Sequence, residues 1–272
     1  MLGTGTPAPN PERSGSAVAI LVDERVYLVD CGPGIVRRMA AAGLAHQIPA
    51  LFPARATILF LTHLHSDHTL GCPDLLLSGW TLGRTAPLQV YGPPGTASMF
   101  NHIREAFRAD IENRLTGLEP ANATGHEASV TEIGMGVVYK DDLVTVTAIP
   151  VRHGEWEHSY GYRFETPDRT IVISGDTAYS ENLAEACDGC DILIHEVMSP
   201  KDVDRLSPEW RTYHRKYHTM TDELGKLASI ARPKLLVLYH LSDRAVSAEE
   251  MVEEVRQHFS GKVVAARDLD IY

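Results

Sequence analysis

The sequence predicts a mixed α/β fold in which β-sheets pack face to face and are covered by helices. Three observations support this prediction. β-Branched runs typical of strands occur in both halves of the chain, apolar residues at helical spacing occur between them, and polar clusters repeatedly follow apolar strands. No low-complexity tract or obvious linker interrupts the 272 residues. We therefore expect one domain that spans residues 1–272.

The first half of the chain opens with two β-branched runs, VAILV and VYLVD, which flank Asp23 and Glu24 and predict a hairpin. Glycine and proline then end the strand, and apolar residues recur at helical spacing. In chain order we predict a hairpin over residues 17–30, a helix over 35–42, strands over 57–62 and 88–91, and a helix over 97–107. The strand at 57–62 runs directly into the polar segment HLHSDH.

The second half alternates strand and helix patterns after an initial group of strands. In chain order we predict strands over residues 144–151, 160–165 and 170–174, a helix over 181–186, a strand over 191–197, a helix over 222–230, a strand over 235–239, a helix over 248–259 and a strand after Gly261. The segment between Glu196 and His218 is expected to be a long polar connection. Connections of this length often overhang a functional site.

Charge and composition restrict the partners. A formal net charge of −11 disfavours nucleic acid, because proteins that bind polyanions usually present a basic stripe. No window approaches the roughly 18 consecutive apolar residues of a membrane span, so no membrane partner is expected. Four cysteines are too few for a disulfide framework in a chain of this length, and we expect Cys187 and Cys190 to be buried thiols beside a strand.

The segment His63-Leu64-His65-Ser66-Asp67-His68 carries the strongest chemical signal. Side chains two apart on an extended segment face the same way, so His63 and His65 can reach one ion while the following turn directs Asp67 and His68 toward a second. Imidazole and carboxylate suit zinc, and iron or manganese can use the same groups. Three further candidates each follow an apolar strand, and they are His153, Asp176 and His240.

This pattern resembles the metallo-β-lactamase superfamily, whose members share a four-layer αββα sandwich. The likeness extends along nearly the whole chain through LGTGTPAPNPERSG, YLVDCGPGIVRR, THLHSDHTLG, ISGDT, LIHEV, YHTM and LYHLS. These segments are similar to the ribonuclease Z branch, and especially to its arylsulfatase-like relatives. The resemblance implies a metallo-β-lactamase fold and a metal-dependent hydrolase.

Position by position, the resemblance implies a binuclear zinc site. It assigns His63, His65 and His153 to the first metal, and Asp67, His68 and His240 to the second, with Asp176 as the bridge. A metal-bridging hydroxide would be the nucleophile, and Asp67 would orient it. His218 matches a histidine that assists the leaving group, Glu196 matches its carboxylate partner, and Asp30 matches a carboxylate behind the ligands.

The resemblance and the acidic charge favour a small anionic ester, either an aryl sulfate or a phosphodiester, as substrate. Ribonuclease Z enzymes that process transfer RNA carry a basic arm between two strands, and here only 13 residues separate Tyr162 from Asp176, so the arm is absent. Trp80, Trp156 and the aromatic residues of the 196–218 segment could hold an aryl group, and Arg211, Arg215 and Lys216 could lie near an anionic head.

Several alternatives remain open from the sequence. Lactonases and thioesterases share the same seven ligands, a ribonuclease Z-like nuclease without the arm fits the resemblance, and an inactive metal-binding scaffold is the non-enzymatic alternative. The resemblance also leaves a homodimer open. We expect a cytoplasmic protein, with an export signal upstream of Met1 left open.

Overall fold

The structure is a computed structural model that describes residues 1–242 and 245–272. The chain divides into two compact units. Unit 1 comprises Met1–Ile133 and Asp268–Tyr272, and unit 2 comprises Gly134–Arg267. Each unit contains one β-sheet, so the predicted mixed α/β class with two sheets is confirmed. The expectation of a single domain stays a prediction.

Unit 1 begins with the predicted hairpin and continues with alternating strands and helices. Its elements are β1 (Val18–Val22), β2 (Arg25–Val29), α1 (Ile35–Ala45), 3-10 turns at Pro49–Leu51 and Pro53–Arg55, β3 (Ile58–Phe60), α2 (Ser66–Thr69), α3 (Cys72–Thr81), β4 (Leu88–Gly92), α4 (Thr96–Ala106), α5 (Arg108–Thr116) and β5 (Ala128–Glu132). Helices α3 and α5 and strand β5 were not predicted.

The sheet of unit 1 has the order β1-β2-β3-β4-β5. β1 and β2 are antiparallel, whereas β2, β3, β4 and β5 run parallel to one another. Helix α1 turns Ile35, Met39 and Ala42 toward this sheet, at the spacing of one helix face. These residues join Leu28 and Leu59, which are paired across β2 and β3, in the core of the unit. The parallel strands place the ends of β2 and β3 at one edge.

Unit 2 contains an antiparallel group of strands followed by parallel strands with helices between them. Its elements are β6 (Gly136–Lys140), β7 (Thr145–Pro150), β8 (Tyr160–Glu165), β9 (Thr170–Ile173), α6 (Glu181–Cys187), β10 (Ile192–Glu196), α7 (Pro200–Val203), α8 (Pro208–Tyr217), α9 (Thr221–Ala231), β11 (Leu235–Tyr239), α10 (Ala248–Arg256) and β12 (Val263–Ala265). Strand β6 and helices α7 and α8 were not predicted.

The sheet of unit 2 has the order β12-β11-β10-β9-β8-β7-β6. β9, β10, β11 and β12 are parallel, and the remaining pairs are antiparallel. Leu183, Leu227 and Met251 of α6, α9 and α10 pack in one core with strand residues such as Leu193 and Leu236. Because β9, β10 and β11 run the same way, their carboxyl ends meet at one edge of the sheet, where sites of α/β proteins usually form.

Two expectations for unit 2 are wrong. Cys187 and Cys190 form a disulfide rather than a pair of thiols, because the turn through Asp188 and Gly189, both with positive φ, brings the end of α6 back on itself. The segment between Glu196 and His218 is not an irregular connection, since α7 and α8 occupy much of it.

Strands β8 and β9 are joined by residues 166–169, so this hairpin has no room for an inserted arm. Within the part of the chain that the structure describes, no helix is both long enough and apolar enough to cross a membrane.

Candidate metal centre

The first two predicted ligands, His63 and His65, follow strand β3 of unit 1. His63 Nε2 and His65 Nδ1 are 3.0 Å apart. Two ligands at 2.0–2.1 Å from a tetrahedral zinc ion lie about 3.3 Å from each other. Thr62 Oγ1 lies 3.0 Å from His63 Nδ1 and thereby fixes the imidazole from its other side. The pair therefore has the spacing that one ion requires.

Asp67 and His68 lie in the short helix α2 and are buried. His68 Nε2 and Asp67 Oδ2 are 3.5 Å apart, again close to the spacing of neighbouring ligands on one ion. The other ring nitrogen, His68 Nδ1, lies 2.7 Å from Asp30 Oδ2. A carboxylate there keeps the proton on Nδ1 and leaves the Nε2 lone pair for a metal. This is the contact that we expected for Asp30.

The backbone around Asp30 explains how the carboxylate reaches His68. Asp30 adopts a left-handed conformation with φ 61°, which is uncommon for residues other than glycine and turns its side chain back toward the end of β3. Its Oδ1 accepts a hydrogen bond of 2.8 Å from the backbone N–H of Thr62. Asp30 thus fixes both the end of β3 and the imidazole of His68.

A close backbone approach packs the short helix α2, which carries Asp67, against Gly32. A Cβ atom on Gly32 would lie 2.5 Å from the carbonyl oxygen of Asp67 and 2.3 Å from the carbonyl carbon of Gly15, so only glycine fits. The same part of unit 1 opens on a cavity of about 640 Å³, whose lining includes Asp67, Ser66 and Arg13. Helix α2 is therefore closely packed on one side and borders the cavity on the other.

In unit 2, two predicted ligands lie beyond the carboxyl ends of parallel strands. Asp176 follows β9, His240 follows β11, and both are buried. His240 Nε2 and Asp176 Oδ2 are 3.3 Å apart, which matches neighbouring ligands on one ion. His240 has φ 57°, so a second residue of the site adopts the left-handed conformation. Both strand ends turn sharply to direct polar atoms away from the apolar core.

The third predicted ligand of unit 2, His153, is completely buried. Its Nδ1 lies 2.9 Å from the carbonyl oxygen of Tyr217, which sets the tautomer and leaves Nε2 as the ligand atom. Tyr217 is itself fixed, because its ring packs so closely on Gly154 that a Cβ there would overlap it and its hydroxyl donates to Glu155. Sequence analysis gave Tyr217 only an aromatic role.

Glu196 and His218 form the expected pair. His218 Nδ1 lies 3.2 Å from Glu196 Oε1, and the same oxygen accepts hydrogen bonds from the backbone N–H groups of Thr177 at 3.0 Å and Thr219 at 3.2 Å. Ligand atoms of Glu196, His218 and His240 lie within 4.8 Å of one another. The pair therefore lies beside a predicted metal ligand.

His195 is a further buried residue that sequence analysis did not single out. His195 lies in β10 and is completely buried, and its Nδ1 lies 2.7 Å from the carbonyl oxygen of Glu196. Burial lowers the pKa of His195, which favours the neutral imidazole. Its position next to Glu196 in LIHEV was the only available signal. The imidazole fixes the backbone at the strand end that carries Glu196.

The structure shows the partners of three side chains that the sequence offered for substrate binding. Trp80 is a core residue, 2% exposed, whose indole N–H donates to the carbonyl oxygen of Asn122. Arg215 pairs with Asp204 at 2.9 Å, and Lys216 pairs with Glu155, so both cations already have carboxylate partners.

The donor set fits a divalent metal. The buried ligand atoms are imidazole nitrogens and carboxylate oxygens, and in three neighbouring pairs they lie 3.0, 3.5 and 3.3 Å apart. Burying such groups is costly unless they are paired or coordinate a metal. Each unit thus presents part of a metal-binding constellation, whereas coordination by all seven residues together stays a prediction.

Comparisons with known proteins agree with this chemistry. The profile of a family described as a β-lactamase superfamily domain matches residues 25–241. Ribonuclease Z of Mycobacterium sp. (strain KMS) is 35% identical over 243 residues, which are 88% of this chain and 82% of that protein. Two crystal structures are similar in fold. The metallo-β-lactamase fold protein YhfI from Bacillus subtilis has a TM-score of 0.73 and 19% identity, over 98% of this chain and 95% of that chain. Human tRNase Z, short form, has a TM-score of 0.70 and 24% identity, over 98% of this chain and 95% of that chain.

These comparisons correct one expectation. Nucleic acid was disfavoured as a partner because of the acidic charge and the absent arm, yet the relatives are named for action on RNA. Net charge describes the whole surface, and it does not report the local field at a metal-binding site. The names also support the ribonuclease Z-like alternative better than the aryl sulfate interpretation. The chain belongs to the metallo-β-lactamase superfamily, in its ribonuclease Z branch, and is a metal-dependent hydrolase.

Proposed function

We propose that this protein is a ribonuclease Z-like phosphodiesterase that hydrolyses an RNA phosphodiester at a binuclear zinc centre. The observation that carries the proposal is the spacing of the ligand atoms, since donor pairs in both units lie about as far apart as neighbouring ligands on a tetrahedral ion. The relatives named Ribonuclease Z support the choice of RNA as substrate.

In this proposal all seven predicted ligands act together. His63, His65 and His153 would hold the first zinc ion, Asp67, His68 and His240 would hold the second, and Asp176 would be shared by both. When bound, such a metal pair supplies Lewis acidity, which lowers the pKa of water to about 7 and stabilises charge on a phosphoryl group. Asp67, at the edge of the cavity in unit 1, orients the attacking water.

His218 protonates the leaving oxygen in this proposal. Its Nδ1 faces the carboxylate of Glu196, so Nε2 is the ring atom that delivers the proton. Three N–H groups around one oxygen of Glu196 hold that carboxylate in place beside the imidazole of His218. Glu196 is therefore a positioning residue, whereas His218 reaches the substrate.

The test is a panel of substrates with the zinc-loaded full chain. The panel contains a dinucleoside monophosphate, a bis-aryl phosphodiester, an aryl sulfate and a lactone. We expect zinc-dependent cleavage of both phosphodiesters, with a preference for the RNA ester. Turnover of the aryl sulfate or the lactone without turnover of either phosphodiester would overturn the proposal.

A further inference from the structure

An aromatic strip runs along one face of helix α8 (Pro208–Tyr217) and consists of Trp210, Tyr213, His214 and Tyr217. These residues recur at spacings of three and four, which places them on one side of a helix. Tyr213 and Tyr217 are stacked with ring centroids 4.2 Å apart, and Trp210 stacks on His214 at 5.8 Å. The strip is therefore a continuous aromatic surface.

The inner end of the aromatic strip lies against proposed metal ligands of the same unit. Tyr217 contacts His153 edge to face, with ring centroids 4.9 Å apart. His214 lies 5.5 Å from His218, and His218 stacks on His240 at 5.8 Å. The aromatic strip therefore continues directly from the side chains proposed to act in catalysis.

The outer end of the aromatic strip is open to solvent. Trp210 is 56% exposed, Tyr213 and Tyr217 are half-buried, and His214 is the only buried residue among those of α8. A helix face that served only to fill the core would bury aliphatic side chains instead. Exposed aromatic rings that continue from a site are typical of a binding surface.

Basic side chains alternate with the aromatic residues of α8. Arg215 and Lys216 are engaged with Asp204 and Glu155, whereas among the residues that the structure describes Arg211 forms no salt bridge. Aromatic rings with interspersed cations are the surface that single-stranded nucleic acid recognises, because every base has a flat face for stacking. The local chemistry of α8 thus differs from the acidic charge of the whole chain.

We propose that the aromatic strip binds a nucleobase of the substrate by stacking, next to the scissile phosphodiester. This inference rests on the proposed function and extends it, because it assigns substrate binding to α8. Trp210 and Tyr213 provide the stacking surface, and Tyr217 links it to His153. The strip acts on substrate binding rather than on the chemical step.

A binding measurement tests the stacking without catalysis. Uridine 5′-monophosphate and ribose 5-phosphate differ only in the base, and both are added to the zinc-loaded full chain while tryptophan fluorescence is recorded. We expect quenching by the nucleotide and none by the sugar phosphate. Both chains carry Trp156→Phe, because Trp156 lies beside His153. The quenching should disappear when Trp210→Phe is added, with the buried Trp80 as the internal control.

A kinetic measurement tests the same surface in turnover. Trp210→Ala and Tyr213→Ala should each raise KM for a dinucleoside monophosphate by about tenfold while kcat stays within about twofold. For an otherwise identical ester that lacks one base, KM of the two alanine variants should stay within about twofold of the wild-type value. Trp210→Phe should retain most of the binding. Thr212→Ala, on another face of the same helix, should change neither constant.

Three outcomes would overturn the inference. The first is quenching that persists in Trp210→Phe, and the second is an equal rise in KM for the complete and the base-free ester in the alanine variants. The third is a rise in KM only for a bis-aryl phosphodiester, which would assign the aromatic strip to a small aryl group. Failure of the proposed function is distinguishable from these outcomes. In that case the wild-type chain cleaves no phosphodiester, whereas the fluorescence measurement still reports whether a base stacks.

Discussion

The two units differ in how the sequence supplies their predicted metal ligands. Unit 1 takes four of them, His63, His65, Asp67 and His68, from one hexapeptide that follows a single strand. Unit 2 collects its ligands between residues 153 and 240, from the ends of separate strands whose order in the sheet brings Asp176 and His240 within 3.3 Å. A local constellation depends on backbone geometry over a few residues, whereas a distributed one depends on the topology of a whole sheet.

The groups behind the ligands differ in the same way. In unit 1 a single carboxylate, Asp30, holds His68 and the end of β3. In unit 2 the carbonyl oxygen of Tyr217 contacts His153, and Glu196 contacts His218 while it accepts hydrogen bonds from the backbone N–H groups of Thr177 and Thr219. Side chains therefore support the imidazoles of His63 and His68 in unit 1, whereas backbone groups take part in the support in unit 2.

The largest effect is expected for Asp176→Asn, because Asp176 is proposed to serve both metals. Removing a residue that supports a ligand from behind typically lowers metal affinity or activity 10- to 100-fold. Loss of a ligand shared by both metals should therefore lower kcat/KM by about 10³-fold or more. Zinc content should fall below two ions per chain, measured by elemental analysis. Asp168→Asn, the same change at an exposed turn, is the control. A loss of tenfold or less would contradict the bridging role.

A smaller effect is expected for His218→Asn, which removes the proposed acid and leaves the proposed ligands intact. We expect kcat to fall about 10²-fold with two zinc ions still bound. The loss should shrink for an ester with a nitrophenol leaving group, which departs without a proton. Loss of one zinc ion instead would show that His218 acts as a ligand with Glu196 and His240, whose ligand atoms also lie within 4.8 Å.

Replacement of Cys187 and Cys190 by alanine tests the disulfide of unit 2. The two residues are three apart in sequence, so the bond closes a short loop and should contribute about 2 kcal/mol to the free energy of unfolding. Urea denaturation should show this loss in the double variant and in the reduced wild-type chain. The variant should be insensitive to reductant. Equal stability of the oxidised and reduced wild-type chains would contradict the assignment.

The smallest effect is expected for Asp30→Asn, which preserves size and tolerance for positive φ but removes the charge opposite His68 Nδ1. Zinc affinity of the unit 1 ligands should fall about tenfold in competition with a chelator. Asp23→Asn is a matched control, because Asp23 also has positive φ, 52°, but lies exposed in the β1–β2 turn. Equal zinc affinities of Asp30→Asn and Asp23→Asn would contradict a role of Asp30 in holding His68.

The sequence predicted most of the strands because apolar runs are bounded by turns, and it predicted the ligand pairs because polar residues follow those runs. It did not predict α8, since PEWRTYHRKY lacks the aliphatic periodicity of a buried helix and was interpreted as a connection. It also gave no indication of the support for His153, because the group that holds it is a backbone carbonyl, that of Tyr217.

Other differences arise from tertiary contacts that spacing cannot reveal. Trp80 was one candidate for an aromatic wall, and the structure buries it in unit 1, where its indole N–H donates to the carbonyl oxygen of Asn122. The disulfide of Cys187 and Cys190 depends on positive φ values in the turn between them. The wrong expectation that nucleic acid is an unlikely partner came in part from applying a net charge of −11 to a question about a local surface.

The central proposal is that the predicted ligands together hold a pair of metals and that Asp176 is shared by both. Electron paramagnetic resonance of the chain loaded with two equivalents of manganese tests it directly, because ions about 3.5 to 4 Å apart share a bridge and couple magnetically. We expect a coupled spectrum from the wild-type chain and loss of the coupling in Asp176→Asn. Two uncoupled ions, or only one bound ion, in the wild-type chain would contradict the claim.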